Sequence, residues 1–326
     1  MLGQEEAEAR LYNHTDRLLQ GHQRLLDDGE RNRAFYEALR RTVKNDSAVL
    51  DIGSGTGIWA VTAAILGARR VVAVEYEPLL IGVIKALAAE NGVADRVEVV
   101  CGDSRSVPLG RDFDIVISET VGHLVFDESI ASIMIDARER FLKPDGILIP
   151  QTVGLTAAAA RLEKSNDNLP AGLSLPSCSV FESLALNVPV ALHDNAALTV
   201  LSAPETLIST DLRTIVDLPD LTDLSAHWKL TDVSAINCFA VWAQASLTDD
   251  VDIITSQTTS WMPMIYRIMP FQAKSGDVNF KLKLTNKSHY WTASLKNNDC
   301  FEEQSYSPAL AAEELLRLSR PFVNIF

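Results

Sequence analysis

The chain has 326 residues, 47% of them apolar, and its 43 acidic and 29 basic side chains give a formal net charge of −14. This length and composition predict two domains of moderate size with ample apolar cores. The acidic excess argues against sequence-independent binding to nucleic acid or to an anionic membrane surface, because both require clustered lysine and arginine.

The sequence carries no signal for export, membrane insertion or metal binding. No apolar run reaches the ~20 residues of a membrane span. The first residues, MLGQEEAEARLY, are acidic where a signal peptide is basic. The four cysteines lie far apart, without a Cys/His cluster. We therefore expect a cytoplasmic protein with reduced thiols, no metal ion, and no nucleic-acid or membrane partner.

Two helices are predicted within residues 1–45, where Leu25, Leu26, Phe35 and Leu39 recur at helical spacing. Residues 46–150 then alternate between apolar strands and helices. The strands are predicted at 48–52, 70–75, 97–101, 113–118 and 146–150, and the helices at 58–66, 79–91 and 129–142. This alternation is typical of βαβ units in a Rossmann-like, doubly wound parallel sheet of the α/β class.

Residues 151–326 have a different pattern, in which β-like segments are separated by Asp, Asn, Ser, Gly and Pro. A helix is predicted only near the end, at 308–318, where Ser307 and Pro308 provide a cap and a first-turn proline. This half is therefore predicted to be a mostly antiparallel β-barrel or sandwich that serves as a substrate domain. The β-like segments lie at 153–162, 214–218, 236–247 and 278–284.

A glycine loop, Asp51-Ile-Gly53-Ser-Gly55-Thr-Gly57, follows the first strand and precedes a helix. Glycines at this point let the backbone turn sharply and approach a ligand closely. The loop fits a dinucleotide poorly, because Ile58 stands at the third glycine position and the Asp51 carboxylate would repel a pyrophosphate. No Lys-Ser/Thr pair follows the loop, which excludes a P-loop.

S-adenosylmethionine fits this loop better, because it has no phosphate and carries an ammonium and a sulfonium. Asp51 would attract these cations while Gly53 and Gly55 let the backbone approach. Glu75, at the end of the second strand, is positioned to accept hydrogen bonds from ribose hydroxyls, and Asp103, after the third strand, from an adenine amino group. Each acid alone could be a solvated loop charge, but three at successive strand ends predict a cofactor site.

Two glutamates, Glu119 and Glu128, follow the fourth strand in the segment SETVGHLVFDE. Gly122 and the apolar residues after it favour a loop that doubles back and brings the two carboxylates together. Neighbouring ionised carboxylates are costly unless a cation lies between them, and a guanidinium pairs with carboxylates in bidentate fashion. The pair therefore predicts a clamped guanidinium beside the methyl donor, with two unrelated surface glutamates as the alternative.

The chain resembles the protein arginine N-methyltransferases, a family of class I S-adenosylmethionine-dependent enzymes. The resemblance rests on VLDIGSGTG, VVAVEYEP, SETVGHLVFDES and FLKPDGILIPQ, in this order, and covers residues from about 12 to 295. It implies arginine methylation with Glu119 and Glu128 as the catalytic residues. It also implies that Arg31 holds the cofactor carboxylate, that His22 lines the cofactor pocket, and that the N-terminal helices close over it.

Several positions depart from the family pattern around the substrate. The family's Thr-His-Trp loop is Thr259-Ser260-Trp261 here, so Asp28 is expected to lack its histidine partner. The N-terminal tyrosine signature is reduced to Tyr12, with Asp16 at the second tyrosine, and His123 stands where a tyrosine is common. These departures favour free L-arginine or a small guanidino metabolite as the acceptor, with arginine in peptides or proteins as the alternative.

Other readings of the chain lead to different functions. A catalytically inactive scaffold would have no reason to retain Asp51, Glu75, Glu119 and Glu128 together. A lysine or ribosomal-protein methyltransferase would bind a single ammonium, which does not call for two carboxylates. The resemblance also implies a homodimer formed through an arm at about residues 164–190, for which an ordinary surface loop is the alternative.

Overall fold

The computed structural model of the protein describes residues 2–163, 179–192, 197–254, 260–285 and 288–323. Its helices are α1 Leu2–Asp27, α2 Gly29–Thr42, α3 Ile58–Ile65, α4 Pro78–Glu90, the 3-10 helix η1 Phe126–Glu128, α5 Ile130–Arg140, α6 Ser179–Ala185 and α7 Pro308–Val323. Its strands are β1 Ala48–Ile52, β2 Arg70–Glu75, β3 Val97–Cys101, β4 Phe113–Ser118, β5 Leu142–Ile149, β6 Thr152–Leu162, β7 Val190–Ala191, β8 Leu198–Val200, β9 Glu205–Asp211, β10 Leu224–Leu230, β11 Cys238–Thr248, β12 Val251–Ile254, β13 Met264–Arg267, β14 Gly276–Thr285, β15 Ser288–Lys296 and β16 Phe301–Tyr306.

The first five strands form a parallel sheet in the order β3-β2-β1-β4-β5. Every residue of β1 is buried, as expected for a central strand with both faces covered. The chain runs outward from β1 through β2 to β3 and then returns to β4 on the other side. The carboxyl ends of β1 and β4 therefore flank a topological switch point, the place where such sheets bind ligands.

The remaining strands form two antiparallel sheets. One has the order β10-β14-β15-β16, and the other has the order β7-β13-β11-β6-β8, with β12 paired to β11 and β9 paired to β6. Aromatic rings connect the two sheets, since Phe239 of β11 stacks on Trp228 of β10 at 5.7 Å and on Phe280 of β14 at 4.5 Å. The predicted fold class, a doubly wound α/β sheet followed by mostly antiparallel β structure, is confirmed.

One predicted β segment, 214–218, is wrong, because the chain turns there after β9. The Asp211 carboxylate accepts a hydrogen bond from the backbone N–H of Arg213 at 2.9 Å, which closes a local turn. Arg138 then donates to the carbonyl oxygens of Leu212 and Ile215 at 2.8 and 2.6 Å, so these groups are satisfied without a partner strand. A guanidinium from α5 thus replaces the strand pairing that the local sequence suggested.

The two halves of the chain share one apolar core. A continuous cluster of buried side chains extends from Leu50 in β1 to Phe280 in β14. Backbone hydrogen bonds of Gln151, to Ser246 and from Leu212, both at 2.8 Å, join the end of the parallel sheet to the antiparallel one. The predicted boundaries after residues 45 and 150 stay predictions. No helix within the described ranges is long and apolar enough to span a membrane.

A glycine in β6 provides a test of the sheet packing. A Cβ on Gly154 would lie 2.3 Å from the carbonyl oxygen of Ile208 in β9, so Gly154→Ala must push the two strands apart. We expect it to lower the free energy of unfolding in urea by about 1–3 kcal/mol. Gly82→Ala in α4, where no atom lies within 4 Å of the added Cβ, should raise it by about 0.5–1 kcal/mol. Equal midpoints for Gly154→Ala and the parent protein would contradict the close approach.

Candidate active site

A cavity of about 670 Å³ lies at the carboxyl ends of β1, β2 and β4, within the range of roughly 300–1,000 Å³ of small-molecule sites. The loop after β1 forms one wall. Helix α1 covers the opposite side with Leu18, His22, Leu25 and Leu26, which share one helical face. The N-terminal helix therefore lies over this cavity, and closure over a cofactor stays a prediction.

The glycine loop is packed too closely for side chains. Gly53 and Gly55 have φ angles of 67° and 56°, in the left-handed region that favours glycine. A Cβ on Gly53 would lie 2.7 Å from the Thr120 side chain, and one on Gly55 would lie 2.8 Å from the His22 ring. Burial lowers the pKa of His22, which favours a neutral imidazole against the loop. Loop and helix together enclose one end of the cavity.

Two of the predicted cofactor-binding acids, Glu75 and Asp103, line this cavity. The Glu75 carboxylate accepts hydrogen bonds from the backbone N–H groups of Gly55 at 2.6 Å and Glu77 at 2.7 Å. Hydrogen bonds from the Arg105 side chain, at 3.0 and 2.6 Å, lower the pKa of Asp103 to about 2. Asp103 Oδ1 also accepts from the backbone N–H of Arg105 at 3.0 Å. A lone pair therefore remains on Oδ2 of Asp103 and on each oxygen of Glu75.

Asp51 is the predicted site residue that the structure does not bring to the cavity surface. It is fully buried beneath the glycine loop. One carboxylate oxygen accepts from the backbone N–H of Ala60 at 3.0 Å, and the other, Oδ1, is buried without a hydrogen-bond partner among the described residues. Burial raises the pKa of Asp51 to about 7. In this arrangement, Asp51 supports the start of α3 from below.

Arg31 and Glu119, which the sequence assigned to different ligands, form a buried ion pair. Arg31 Nη1 donates to Glu119 Oε2 at 2.7 Å, and Nη2 donates to the carbonyl of Leu25 at 2.7 Å and to the side chain of Asn32 at 2.8 Å. The Arg31 Nε is buried without a hydrogen-bond partner within the described part of the chain. Both Arg31 and Glu119 line the cavity.

Glu119 has a second partner, Trp261, which the sequence named only as part of a loop. The indole Nε1 of Trp261 donates to Glu119 Oε1 at 3.0 Å. Burial raises the pKa of Glu119, and the charge of Arg31 is the largest opposing influence. Because each oxygen of this carboxylate has a donor on a different element, its orientation is fixed.

Asp28 has no histidine partner, in keeping with the sequence, but Ser260 bonds to it instead. The backbone N–H and the hydroxyl of Ser260 both donate to Asp28 Oδ2, at 2.9 and 2.5 Å. The other oxygen accepts from the backbone N–H of Arg31 at 3.1 Å and caps α2. Serine thus bonds to Asp28 at the position where the family pattern has a histidine. Thr259, the residue before it, lies outside the described residues.

The loop that carries Glu128 doubles back, as predicted. Gly122 and Val125 form an isolated antiparallel bridge, and the N–H of Phe126 donates to the carbonyl of Leu124 at 2.6 Å. Val125, at the centre of this γ-turn, has a φ of 62° and a ψ of −55°, which is a strained conformation for a β-branched residue. Such strain is concentrated at functional sites, where the surrounding structure maintains it.

Glu128 differs from Glu119 in having no hydrogen-bond partner among the described residues. Burial, followed by the nearby charges of Glu119 and Asp127, raises the pKa of Glu128 to about 7. Glu128 lies on the wall of the 670 Å³ cavity and also on the wall of a second cavity of about 290 Å³. It is therefore an open carboxylate between two spaces, in contrast to the fixed carboxylate of Glu119.

Comparisons with known proteins find similarity to methyltransferases. The family model described as "Ribosomal protein L11 methyltransferase (PrmA)" matches residues 34–157. The "Probable protein arginine N-methyltransferase 6" of Arabidopsis thaliana is 28% identical over 285 residues, which are 82% of this chain and 62% of that protein. The "Arginine N(omega)-methyltransferase" of Streptomyces achromogenes subsp. streptozoticus is 37% identical over 138 residues, which are 41% of this chain and 38% of that protein.

Two solved structures have the same fold. The Trypanosoma brucei PRMT1 enzyme–prozyme heterotetrameric complex with AdoHcy matches with a TM-score of 0.72 at 20% identity, and Arabidopsis thaliana protein arginine methyltransferase 10 matches with a TM-score of 0.70 at 18% identity; each match covers 88% of this chain and 97% of the other. The predicted resemblance to the protein arginine N-methyltransferases is confirmed. The chain spans less than two thirds of the length of the two sequence relatives named above.

The pairing of Ser260 with Asp28 can be tested by deleting the hydroxyl. Ser260→Ala leaves the backbone donor in place but removes a partly buried hydrogen bond to a carboxylate, so we expect the free energy of unfolding to fall by about 1–2 kcal/mol. Ser234 is a matched control, because its N–H and hydroxyl donate to one oxygen of Asp232 in the same way at the surface. Ser234→Ala should change stability little. Equal effects of the two substitutions in urea unfolding would argue against a special role for Ser260.

Proposed function

We propose that the protein is an S-adenosylmethionine-dependent N-methyltransferase that acts on a guanidino nitrogen of arginine. The observation that carries this proposal is the location of Glu119 and Glu128 on the wall of the cavity that the glycine loop and Glu75 also line. The names of the relatives from Arabidopsis and Streptomyces support the same reaction.

The residues around the larger cavity fit this cofactor. The Arg31 Nε, buried and without a partner among the described residues, is a donor suited to the cofactor carboxylate. Glu75 and Asp103 would accept from the ribose and the adenine, while Gly53 and Gly55 leave room for the ligand and His22 covers it. Asp51 would favour the cationic end of the cofactor from beneath the loop. When bound, S-adenosylmethionine supplies an electrophilic sulfonium methyl group.

The two glutamates would hold the guanidinium in different ways. Glu119 is fixed by Arg31 and Trp261, and its remaining lone pairs define where a guanidinium edge can bind. Glu128 is open and would pair with a second edge, which fixes the plane of the acceptor. Holding the attacking nitrogen in line contributes most of the acceleration, and the carboxylates stabilise the positive charge as it moves to the guanidino group. The product can lose its proton late, so no strong base is required.

We favour free L-arginine or a small guanidino metabolite as the acceptor. The chain departs from the family pattern at Asp16, His123 and Ser260, and the Streptomyces relative is named for arginine rather than for protein arginine. Arginine in peptides or proteins is the second candidate, which the name of the Arabidopsis relative favours. A ribosomal-protein methyltransferase, suggested by the matching family model, would have no use for two carboxylates at the acceptor position.

The assembly and the location of the protein stay predictions. The expected arm at about 164–190 falls largely on residues 164–178, outside the described residues. The part that is described includes α6, where Val180 and Phe181 are exposed, in keeping with a homodimer interface. A cytoplasmic location follows only from the composition of the sequence.

Neutralising Glu128 is the direct test of the proposed reaction. Glu128→Gln keeps the side-chain shape but removes the charge that pairs with the guanidinium, so we expect turnover to fall at least about a hundredfold. Binding of S-adenosylhomocysteine, measured by calorimetry, should change little. Glu90→Gln, at the exposed end of α4, is a matched control that should retain activity. A Glu128→Gln enzyme as active as the parent would refute the assigned role.

The raised pKa of Glu128 predicts a pH dependence. Only the ionised carboxylate attracts a guanidinium, so kcat/KM should rise with pH through about 7 and then level off. Because the charge of Asp127 contributes to the raised pKa, Asp127→Asn should move this rise to lower pH. The stability of the fold should change in the opposite direction. In the unfolded chain Glu128 ionises near pH 4.5, whereas in the fold it ionises near 7, so the free energy of unfolding should fall as the pH rises from about 4.5 to 7. A rate profile that is flat from pH 5.5 to 8.5 would contradict the assignment.

A further inference from the structure

The second cavity, of about 290 Å³, has walls of opposite charge. Glu128 lines this cavity, and so do Arg17, Gly21 and Arg24 of helix α1. Positions separated by four and three residues lie on one helical face, so the two arginines form a basic stripe along this cavity.

The two arginines are available to bind an anion. Arg17 donates through Nε to the carbonyl of Asn13 at 3.1 Å, so both of its terminal nitrogens remain available to donate to an anion. In the part of the chain that the structure describes, neither Arg17 nor Arg24 forms an ion pair. The nearby carboxylates of Asp16 and Asp27 accept hydrogen bonds from Gln20 and Gln23 instead, an arrangement that leaves the two guanidinium groups unneutralised.

Gly21 leaves space between the two arginines. No atom lies within 4 Å of the position that a Cβ on Gly21 would occupy. Glycine in a helix interior costs roughly 0.5–1 kcal/mol relative to alanine, so its presence here calls for a reason other than helix stability. A recess between Arg17 and Arg24 would let a small anionic group approach both guanidinium groups.

We infer that this cavity binds the amino-acid end of free L-arginine, with Arg17 and Arg24 holding the α-carboxylate. The guanidinium would lie at Glu128, which lines both cavities, and so reach the cavity that Glu119 also lines. The inference rests on the proposed function and specifies its substrate. Free arginine carries a guanidinium at one end and, at the other, an α-carboxylate beside an α-ammonium. The guanidinium matches Glu128, and the carboxylate matches the basic stripe. Arginine within a peptide has neutral amides in place of the carboxylate, and an arginine-rich peptide would bring further positive charge toward Arg17 and Arg24.

The test compares three acceptors with the parent protein and two double variants. The acceptors are L-arginine, agmatine, which is arginine without the carboxylate, and an arginine-rich peptide. Arg17→Gln/Arg24→Gln removes the basic stripe, and Arg10→Gln/Arg33→Gln removes two exposed arginines that line neither cavity. Initial rates are measured at saturating S-adenosylmethionine, and binding of S-adenosylhomocysteine to each variant verifies that the cofactor site is intact.

We expect the parent protein to prefer L-arginine to both other acceptors. Arg17→Gln/Arg24→Gln should lower kcat/KM for L-arginine by about 10- to 100-fold, as for the loss of charge-assisted hydrogen bonds, mainly through KM. The rate with agmatine should be unchanged or higher. The Arg10/Arg33 control should behave as the parent protein does with all three acceptors.

Two kinds of failure can be distinguished. This inference would be overturned if agmatine or the peptide were methylated as efficiently as L-arginine and Arg17→Gln/Arg24→Gln showed no selective loss of activity with L-arginine. That result would leave the proposed function intact. Absence of methyl transfer to all three acceptors, in a protein that binds S-adenosylhomocysteine, would overturn the proposed function itself.

Discussion

The buried ion pair between Arg31 and Glu119 is the interaction on which the rest of the site depends. Isolated from water, the Glu119 carboxylate is costly unless it is paired and hydrogen-bonded. Its partners come from α2 and from the loop at Trp261, while Glu119 itself follows β4. One carboxylate thus joins the N-terminal helices, the parallel sheet and the antiparallel half. Removal of one partner from such a pair costs about 3–5 kcal/mol, because the other charge is left buried.

Because Glu119 is already bonded to Arg31 and Trp261, the two glutamates cannot have equivalent roles. Glu119 is neutralised within the protein, so its position is independent of the acceptor. Glu128 has no such compensation. Burial raises its pKa, and the negative charges of Glu119 and Asp127 raise it further. A bound cation would relieve this repulsion and lower that pKa. Under the proposed function, affinity for a guanidinium would therefore arise mainly at the open carboxylate, while its orientation would depend on the fixed one.

The sequence predicted the features that depend on local pattern. It did not predict features that depend on contacts between residues far apart in the chain. The bounds of β1 to β4 follow from short apolar runs, and Glu75 and Asp103 line the cavity because parallel strands end at one edge. By contrast, the burial of Asp51 depends on how the glycine loop folds over it. The Ser260 hydroxyl replaces an expected histidine only because Asp28, 232 residues away in sequence, lies beside it. The resemblance aligned Ser260 with the histidine that faces this acid, but it could not show that a serine would bond there.

Helix α1 forms part of both cavities. Under the proposed function, this would couple the enclosure of the methyl donor to the selection of the acceptor. His22 lies on the wall of both spaces. The helix is held at its carboxyl end, where the last carbonyls, of Leu25 and Leu26, accept from the Arg31 and Asn32 side chains at 2.7 Å. Arg31 therefore positions the end of α1 with one nitrogen and Glu119 with another. A displacement of α1 that opens the cofactor cavity would also move the basic stripe away from Glu128, so an acceptor bound between them would favour the closed arrangement.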